Sequence, residues 1–422
     1  MPGKNGKRGK MNQTKKRICF FILYAAIHFF LNFQTTVGTY VTTMYAFSYR
    51  YGFISRGFQG TVLLILDQIL PFSMLSYEGV LALSYIQIFL VDALLILFLY
   101  FCLKMTENVL HHGIITCAFI FITFVFPEYV AFQNFGRSDA WMVIICILGM
   151  LSLMKGKLQW GIVCLCIVGV CIHQGFVLMF MSPMLVILLV KAIDTMEGNN
   201  IGNLFSGKSA KYTWILLSSI LAVSALFVYF TFLSHGNSRE IYHQIYAQAE
   251  NMGYAGYDQK VHEQLIMNEI LGEDPSSQEL QVHIYNFKEG IVFGLLVSPY
   301  IILLITFFKG CIKDASGIWQ KLKYVGISVG AATILPDLIA KIDYGRWMFA
   351  IIFYYAMTVL TLLAMGDRII VQNFHCMAVK LKRHRMIMTL LILYPLLMVP
   401  MGDTWITPVS REITDFFVNM GW

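Results

Sequence analysis

Uninterrupted apolar blocks of about 20 residues recur along this chain, and that spacing decides what it can fold into. A helix rises 1.5 Å per residue, so one such block reaches across the ~30 Å hydrocarbon core of a bilayer. A transmembrane barrel needs alternating segments of about ten residues, a pattern not found here. The blocks predict spans near residues 18–38, 80–103, 109–127, 140–154, 158–175, 176–191, 213–234, 290–308, 322–340, 347–365 and 387–403. Composition agrees: 58% of the 422 residues are hydrophobic and 13% are charged, against about a quarter charged in soluble chains. The expected fold is all-α, a polytopic membrane protein with about 11 transmembrane helices.

Charge distribution orients the spans. With the basic tail (Lys4, Lys7, Arg8, Lys10, Lys15, Lys16, Arg17) in the cytoplasm, 22 of the 31 Lys and Arg fall on the inner side. Of the 24 Asp and Glu, 18 fall outside, five inside, and Asp92 lies within a span. That is the positive-inside pattern, so the formal net charge of +7 is a topology signal. A nucleic-acid partner is excluded, because the basic tail lacks aromatic or structural support for that role. No signal-peptide cleavage site follows the tail, so the first span is expected to remain as an anchor. All nine cysteines fall in spans or inner segments, so no disulfide framework is expected outside. A bacterial plasma membrane suits such a chain, with the N-terminus cytoplasmic and the C-terminus extracytoplasmic.

Five stretches follow: a basic cytoplasmic tail (1–17), an N-terminal membrane bundle (18–234) with an outer loop at 39–79, an extracytoplasmic helical loop (235–289), a C-terminal membrane bundle (290–403) and an extracytoplasmic tail (404–422). In the first outer loop the apolar run from Thr61 to Leu70 is too short to span. It carries Asp67 and Gln68 and ends at Pro71, which suits an interfacial helix. The 235–289 segment predicts helices near 239–250 and 259–271 around a turn at Gly253 and Gly256. A last helix there opens with the capping-box pattern Ser276-x-x-Glu279. Lacking any hydrophobic block, this segment is expected to form a small helical cap on the outer face.

Charge at membrane depth is costly and either paired or functional, so Asp92 in the second span calls for a partner, and His28 sits at similar depth in the first. They read as a helix-joining pair or, in a transporter, as a proton relay. His173, in CIHQGF at the outer end of the fifth span, reads as a helix-end hydrogen bond or as a member of a site. No internal repeat of the inverted-symmetry kind is visible.

Soluble-enzyme signatures are missing: no Walker A, G-x-G-x-x-G, H-E-x-x-H or G-x-S-x-G, and no D-x-D to hold a metal under a nucleotide sugar. No cofactor or metal is called for. The outer segments instead carry Arg50 (YRYG), Arg56 (SRG), Arg137 (GRSD) and Arg346 (YGRW), with Glu128 before the third of these. Guanidinium groups match phosphate oxygens bidentately, and neighbouring aromatic residues offer faces for sugar rings. Asp139 or Asp343 could accept the proton of an attacking hydroxyl as general base. The plain alternative for any one phrase is an interfacial anchor or ion pair at a helix end.

In order, SRGFQG after the first span, GRSD before the fourth, HQG ending the fifth and DYGRW before the tenth resemble a group of multispanning proteins from bacterial surface-polysaccharide loci. More generally the chain resembles the GT-C type glycosyltransferases and the O-antigen polymerases. The resemblance covers most of the membrane part, through motifs of three to six residues. It implies transfer or polymerisation of sugar on the outer face, with a polyprenyl-linked saccharide donor, a saccharide acceptor, membrane lipid and envelope-assembly proteins as partners. It also implies a long first outer loop with an interfacial helix, which 39–79 matches. Many GT-C enzymes carry a catalytic acid early in that loop, whereas residues 39–66 here hold no Asp or Glu. Asp67, Asp139 and Asp343 are the substitutes, and reliance on outer-loop arginine brings the chain nearer the polymerases. The rival reading is a transporter or flippase for a lipid-linked saccharide or other anion, coupled through Asp92 and His28. A third is an outer-face acyltransferase with His173 as base.

Overall fold

The computed structural model describes residues 22, 23, 26, 34–106, 135–198, 200–234, 239–253, 258–271, 279–340, 342–394, 398, 401–402 and 405–422. Among them every regular element is helical. The first loop holds α1 (Thr39–Ala46), a 3₁₀ turn (Tyr49–Tyr51) and α2 (Gly57–Ile69), and then come α3 (Tyr77–Thr106) and α4 (Ser138–Lys155). Next are α5 (Gly161–Ile172), the single turn α6 (Phe176–Met179), α7 (Ser182–Asp194) and α8 (Gly207–Val228), which continues as a π turn to Leu233. Two cap helices follow, α9 (Arg239–Asn251) and α10 (Gln259–Ile266), the latter continuing as a π turn to Leu271. The rest is α11 (Glu279–Leu296), α12 (Ser298–Asp314), α13 (Ile318–Val329), α14 (Leu335–Ala340), α15 (Tyr344–Met365), α16 (Arg368–Arg383), α17 (Arg385–Leu393) and α18 (Pro408–Asn419).

Several apolar helices suggest a membrane protein by their length and composition. Among the described residues, five stretches are long and apolar enough to cross a bilayer: Tyr77–Lys104, Ser138–Lys155, Gly207–Leu233, Ile318–Ile339 and Tyr344–Met365. A sixth counts only if α11 and α12, bent by 66° at their junction, form one span. The predicted spans at 18–38 and 109–127 lie largely or wholly outside the described residues, as does much of 387–403.

Three predicted spans differ in form. The 158–175 block gives α5, whose 12 residues reach about 18 Å, short of the ~30 Å core. The 176–191 block breaks into α6 and α7, because the chain leaves helical geometry at Phe180 (φ −124°, ψ −8°) and restarts with Pro183 in the first turn of α7. The 290–308 block is split at Val297, where Pro299, lacking an N–H, can sit only in the opening turn of α12.

At the centre lie α4 and α15, each with 72% of its span buried, and α15 packs against α3, α4 and α7. Such helices are apolar all round because no face meets solvent. Helix α15 stops at Gly366, whose φ of +76° supplies the left-handed turn that closes many helices. At its other end Gly345 lets the chain pass: a Cβ there would stand 2.3 Å from the carbonyl oxygens of Gly402 and Trp405.

A second core forms on α1, which packs against α2, α9 and α10. The predicted cap thus docks on the first loop. His262 in α10 is fully buried, one ring nitrogen 3.0 Å from Thr43 Oγ1 and the other 3.2 Å from the Tyr246 carbonyl oxygen. The Asp258 N–H donates to Thr39 Oγ1 at 2.9 Å. The predicted apolar run of the first loop is α2, which leaves Ile65 and Ile69 exposed. Ser276 of the predicted capping box and Gly256 lie outside the described residues.

Candidate functional site

Two helix starts meet beneath the cap. Helix α4 opens after Arg137, in extended conformation, and puts Asp139 in its first turn, where the partial positive charge of the helix end favours a carboxylate. Helix α15 opens after Asp343 and puts Arg346 in its first turn, where that same charge opposes a cation. Two carboxylates offset the conflict. Arg346 donates to Asp139 Oδ1 from Nε at 3.0 Å and from Nη2 at 2.8 Å, and to Asp343 Oδ2 from Nη1 at 2.7 Å. Asp139 and Arg346 are 3% and 5% exposed, so this is a buried ion pair. The second oxygen of Asp139, Oδ2, is buried and has no hydrogen-bond partner among the described residues.

Tyr40 of α1 joins the other arginines. Its ring lies under the Arg137 guanidinium at 4.0 Å to the centroid, a cation–π distance. Its hydroxyl accepts from Arg56 Nη1 at 3.1 Å. Gln87 of α3 holds the Arg137 carbonyl through its side-chain amide at 2.6 Å. Arg56 also pairs with Glu269 of the cap at 2.9 Å. Burial opposes its charge, but the Glu269 carboxylate and Tyr40 more than restore it, so the Arg56 pKa ends raised, while nearby Arg346 repels it.

Arg56, Arg137 and Arg346 therefore converge with Asp139 and Asp343. Arg50 stands exposed on its 3₁₀ turn and joins none of these contacts. His173 follows the last residue of α5, and its Nδ1 accepts the Gly175 N–H at 2.9 Å. Asp67 Oδ1 is occupied by Ser73 Oγ and the N–H groups of Met74 and Leu75, which hold its pKa down and tie the turn after α2. Glu128 and His28 lie outside the described residues, and Asp92 is half-buried in α3. Tyr40, Gln87 and Glu269 carry no motif, and only their placement reveals them.

Among the described residues no three His, Cys, Asp or Glu are grouped to hold a metal ion. At the far end of the bundle, buried Lys323 is clasped by Asp194 at 2.8 Å and Asp367 at 2.6 Å beside a cavity of about 780 Å³. The chain matches no known protein family, characterised protein or solved structure.

Proposed function

We propose that this chain is a plasma-membrane protein of about 11 spans that transfers or polymerises sugar on the outer face, from a polyprenyl-(di)phosphate-linked donor to a saccharide acceptor. In this reading the N-terminus is cytoplasmic, the C-terminus and the cap are extracytoplasmic, and α2 lies in the interface. The observation that carries it is the buried Asp139–Arg346–Asp343 group, with Asp139 Oδ2 unpaired among the described residues and two further arginines beside it. A structural ion pair alone accounts for Arg346 but not for the unpaired carboxylate oxygen or for the gathering of like charges.

The chemistry is a displacement at the anomeric carbon. The acceptor hydroxyl forms the new C–O bond, its proton passes to Asp139 Oδ2, and the bond from the anomeric carbon to the donor phosphate breaks with its electrons leaving on phosphate. Arg56 and Arg137 offset the charge that develops on the departing phosphate, and Arg346 with Asp343 holds Asp139 in place. Tyr40 supplies an aromatic wall.

The test is polymer or glycolipid formation in cells carrying Asp139→Asn or Arg137→Ala, with membrane insertion checked in parallel. Both variants are expected to insert and to make no product. Normal product from both removes the reading. Transport of a lipid-linked anion is the second reading, favoured by the Lys323 cavity, and it predicts uptake into vesicles by the Asp139→Asn protein.

A further inference from the structure

The SRGFQG phrase folds into a turn with more hydrogen-bond donors than the protein uses. Ser55 Oγ, Arg56 Nε and Gln59 Nε2 are all buried without a hydrogen-bond partner among the described residues. Ser55 is 3% exposed and Gln59 is 5% exposed. Buried polar groups in folded proteins are almost always paired, so three such atoms within five residues call for an explanation.

The backbone gives the same indication. Arg56 has φ 59° and ψ 7°, and besides Leu158 it is the only described non-glycine residue in the left-handed region. Followed by the right-handed turns of α2, it forms the alternation that makes successive N–H groups converge into an anion-binding concavity. The N-terminus of this 13-residue helix has no side-chain cap, so its first N–H groups and its positive end remain for a ligand. Gly57 and Gly60 press the turn into place: a Cβ on Gly60 would stand 2.0 Å from the Phe47 carbonyl oxygen, and one on Gly57 would stand 2.6 Å from the Tyr49 ring. The start of α2 is thus packed closely against the Tyr45–Tyr49 segment, with no room for a side chain at either glycine.

The geometry points to an anion-binding site formed by Ser55, the backbone and Nε of Arg56, Gln59 and the start of α2, which takes a phosphate or diphosphate group. The rest of Arg56 is already committed, Nη1 to Tyr40 and Met44 and Nη2 to Glu269, which aims the guanidinium and leaves Nε. An anion here also relieves the repulsion between Arg56 and Arg346. Several donors, from both side chains and backbone, suit a tetrahedral group with many acceptor oxygens better than a planar carboxylate. Identifying that phosphate as the leaving group of the lipid-linked donor rests on the transfer reading above, and the anion site itself does not.

The test uses the full chain in lipid nanodiscs, with titration calorimetry against inorganic phosphate, inorganic pyrophosphate and farnesyl diphosphate. Saturable binding of at least one probe is expected. Tighter binding of farnesyl diphosphate assigns the site to a lipid-linked phosphate, and equal binding of pyrophosphate assigns it to the free anion. Gln59→Glu, which adds a negative charge, should weaken binding at least tenfold, and Ser55→Ala should weaken it severalfold. Gln59→Leu, which removes the unpaired amide, should lose affinity with an unchanged or higher unfolding midpoint. A lower midpoint with unchanged affinity in Gln59→Leu, or no binding of any probe by the unaltered chain, overturns the site. Asp139→Asn should retain binding. If Asp139→Asn also makes normal product while Gln59→Glu still loses the anion, the transfer reading fails and the site stands.

Discussion

Arg346 is held in common by two carboxylates from different elements, Asp139 in the first turn of α4 at 2.8 Å and Asp343 ahead of α15 at 2.7 Å. The two bonds are unequal in setting, for the Asp139 side chain is 5% exposed and that of Asp343 is 29% exposed. Removing one partner of a buried pair leaves the other charged and desolvated, which costs about 3–5 kcal/mol. Asp139→Ala is therefore expected to lower unfolding stability more than Asp343→Ala, where water can take over part of the pairing. Arg346→Lys should fall between wild type and Arg346→Ala, because one ammonium cannot reproduce the fork that reaches both acids. Thermal unfolding in detergent, followed by intrinsic fluorescence, checks the order.

Glu269 fixes the cap to Arg56 with both side chains about six-sevenths buried, at 14% and 15% exposure. Glu269→Gln keeps the shape and removes the charge, and hydrogen bonds to charged groups contribute about 1.5–3 kcal/mol. The cap should loosen by an amount of that order without global unfolding. Faster hydrogen exchange confined to α9 and α10 is the expected result, and unchanged exchange there refutes it.

Cap docking should also weaken in acid. Burial is the main influence on His262 and pushes its pKa below the ordinary value of about 6.5, outweighing the Tyr246 carbonyl and Glu263, which favour the charged form. With the folded pKa depressed, the unfolded or undocked state binds more protons below about pH 6.5, so docking is at full strength above that pH and is lost as pH falls toward the lower, folded pKa. Limited proteolysis of the cap should accelerate between about pH 7.5 and 5.5. His262→Gln, which cannot charge, should flatten that dependence.

Gly345 precedes Arg346 and sits against the backbone of Gly402 and Trp405, with 2.3 Å left for a Cβ. Gly345→Ala must displace backbone, not a flexible side-chain tip, and overpacking of this kind costs about 1–3 kcal/mol. Because the displaced residue is adjacent to Arg346, product formation should fall further than stability does. Activity and unfolding midpoint measured on one preparation separate the two effects.

Much of the helical part was legible from periodicity, since an apolar block satisfies its own backbone hydrogen bonds wherever it lies. The blocks at 80–103, 140–154, 213–234, 322–340 and 347–365 correspond to helical stretches that begin within about six residues of the prediction. Legibility failed at Phe180–Met181, inside the predicted 176–191 span, and at Val297, where hydropathy stays high while local backbone chemistry interrupts the helix. In the candidate site, adjacency to Gly or an aromatic residue selected four arginines but could not separate exposed Arg50 from the three that converge.

The sequence by itself determined an all-helical, membrane-suited chain with its charges sorted by segment, because hydropathy and helix-end chemistry act over a few neighbouring residues. Only the tertiary structure decided which charges meet. Asp139 and Arg346 are 207 positions apart, and Thr43 and His262 are 219 apart. Such pairs arise when packed helices carry polar groups out of water and require them to find partners, and that requirement is set by neighbours in space.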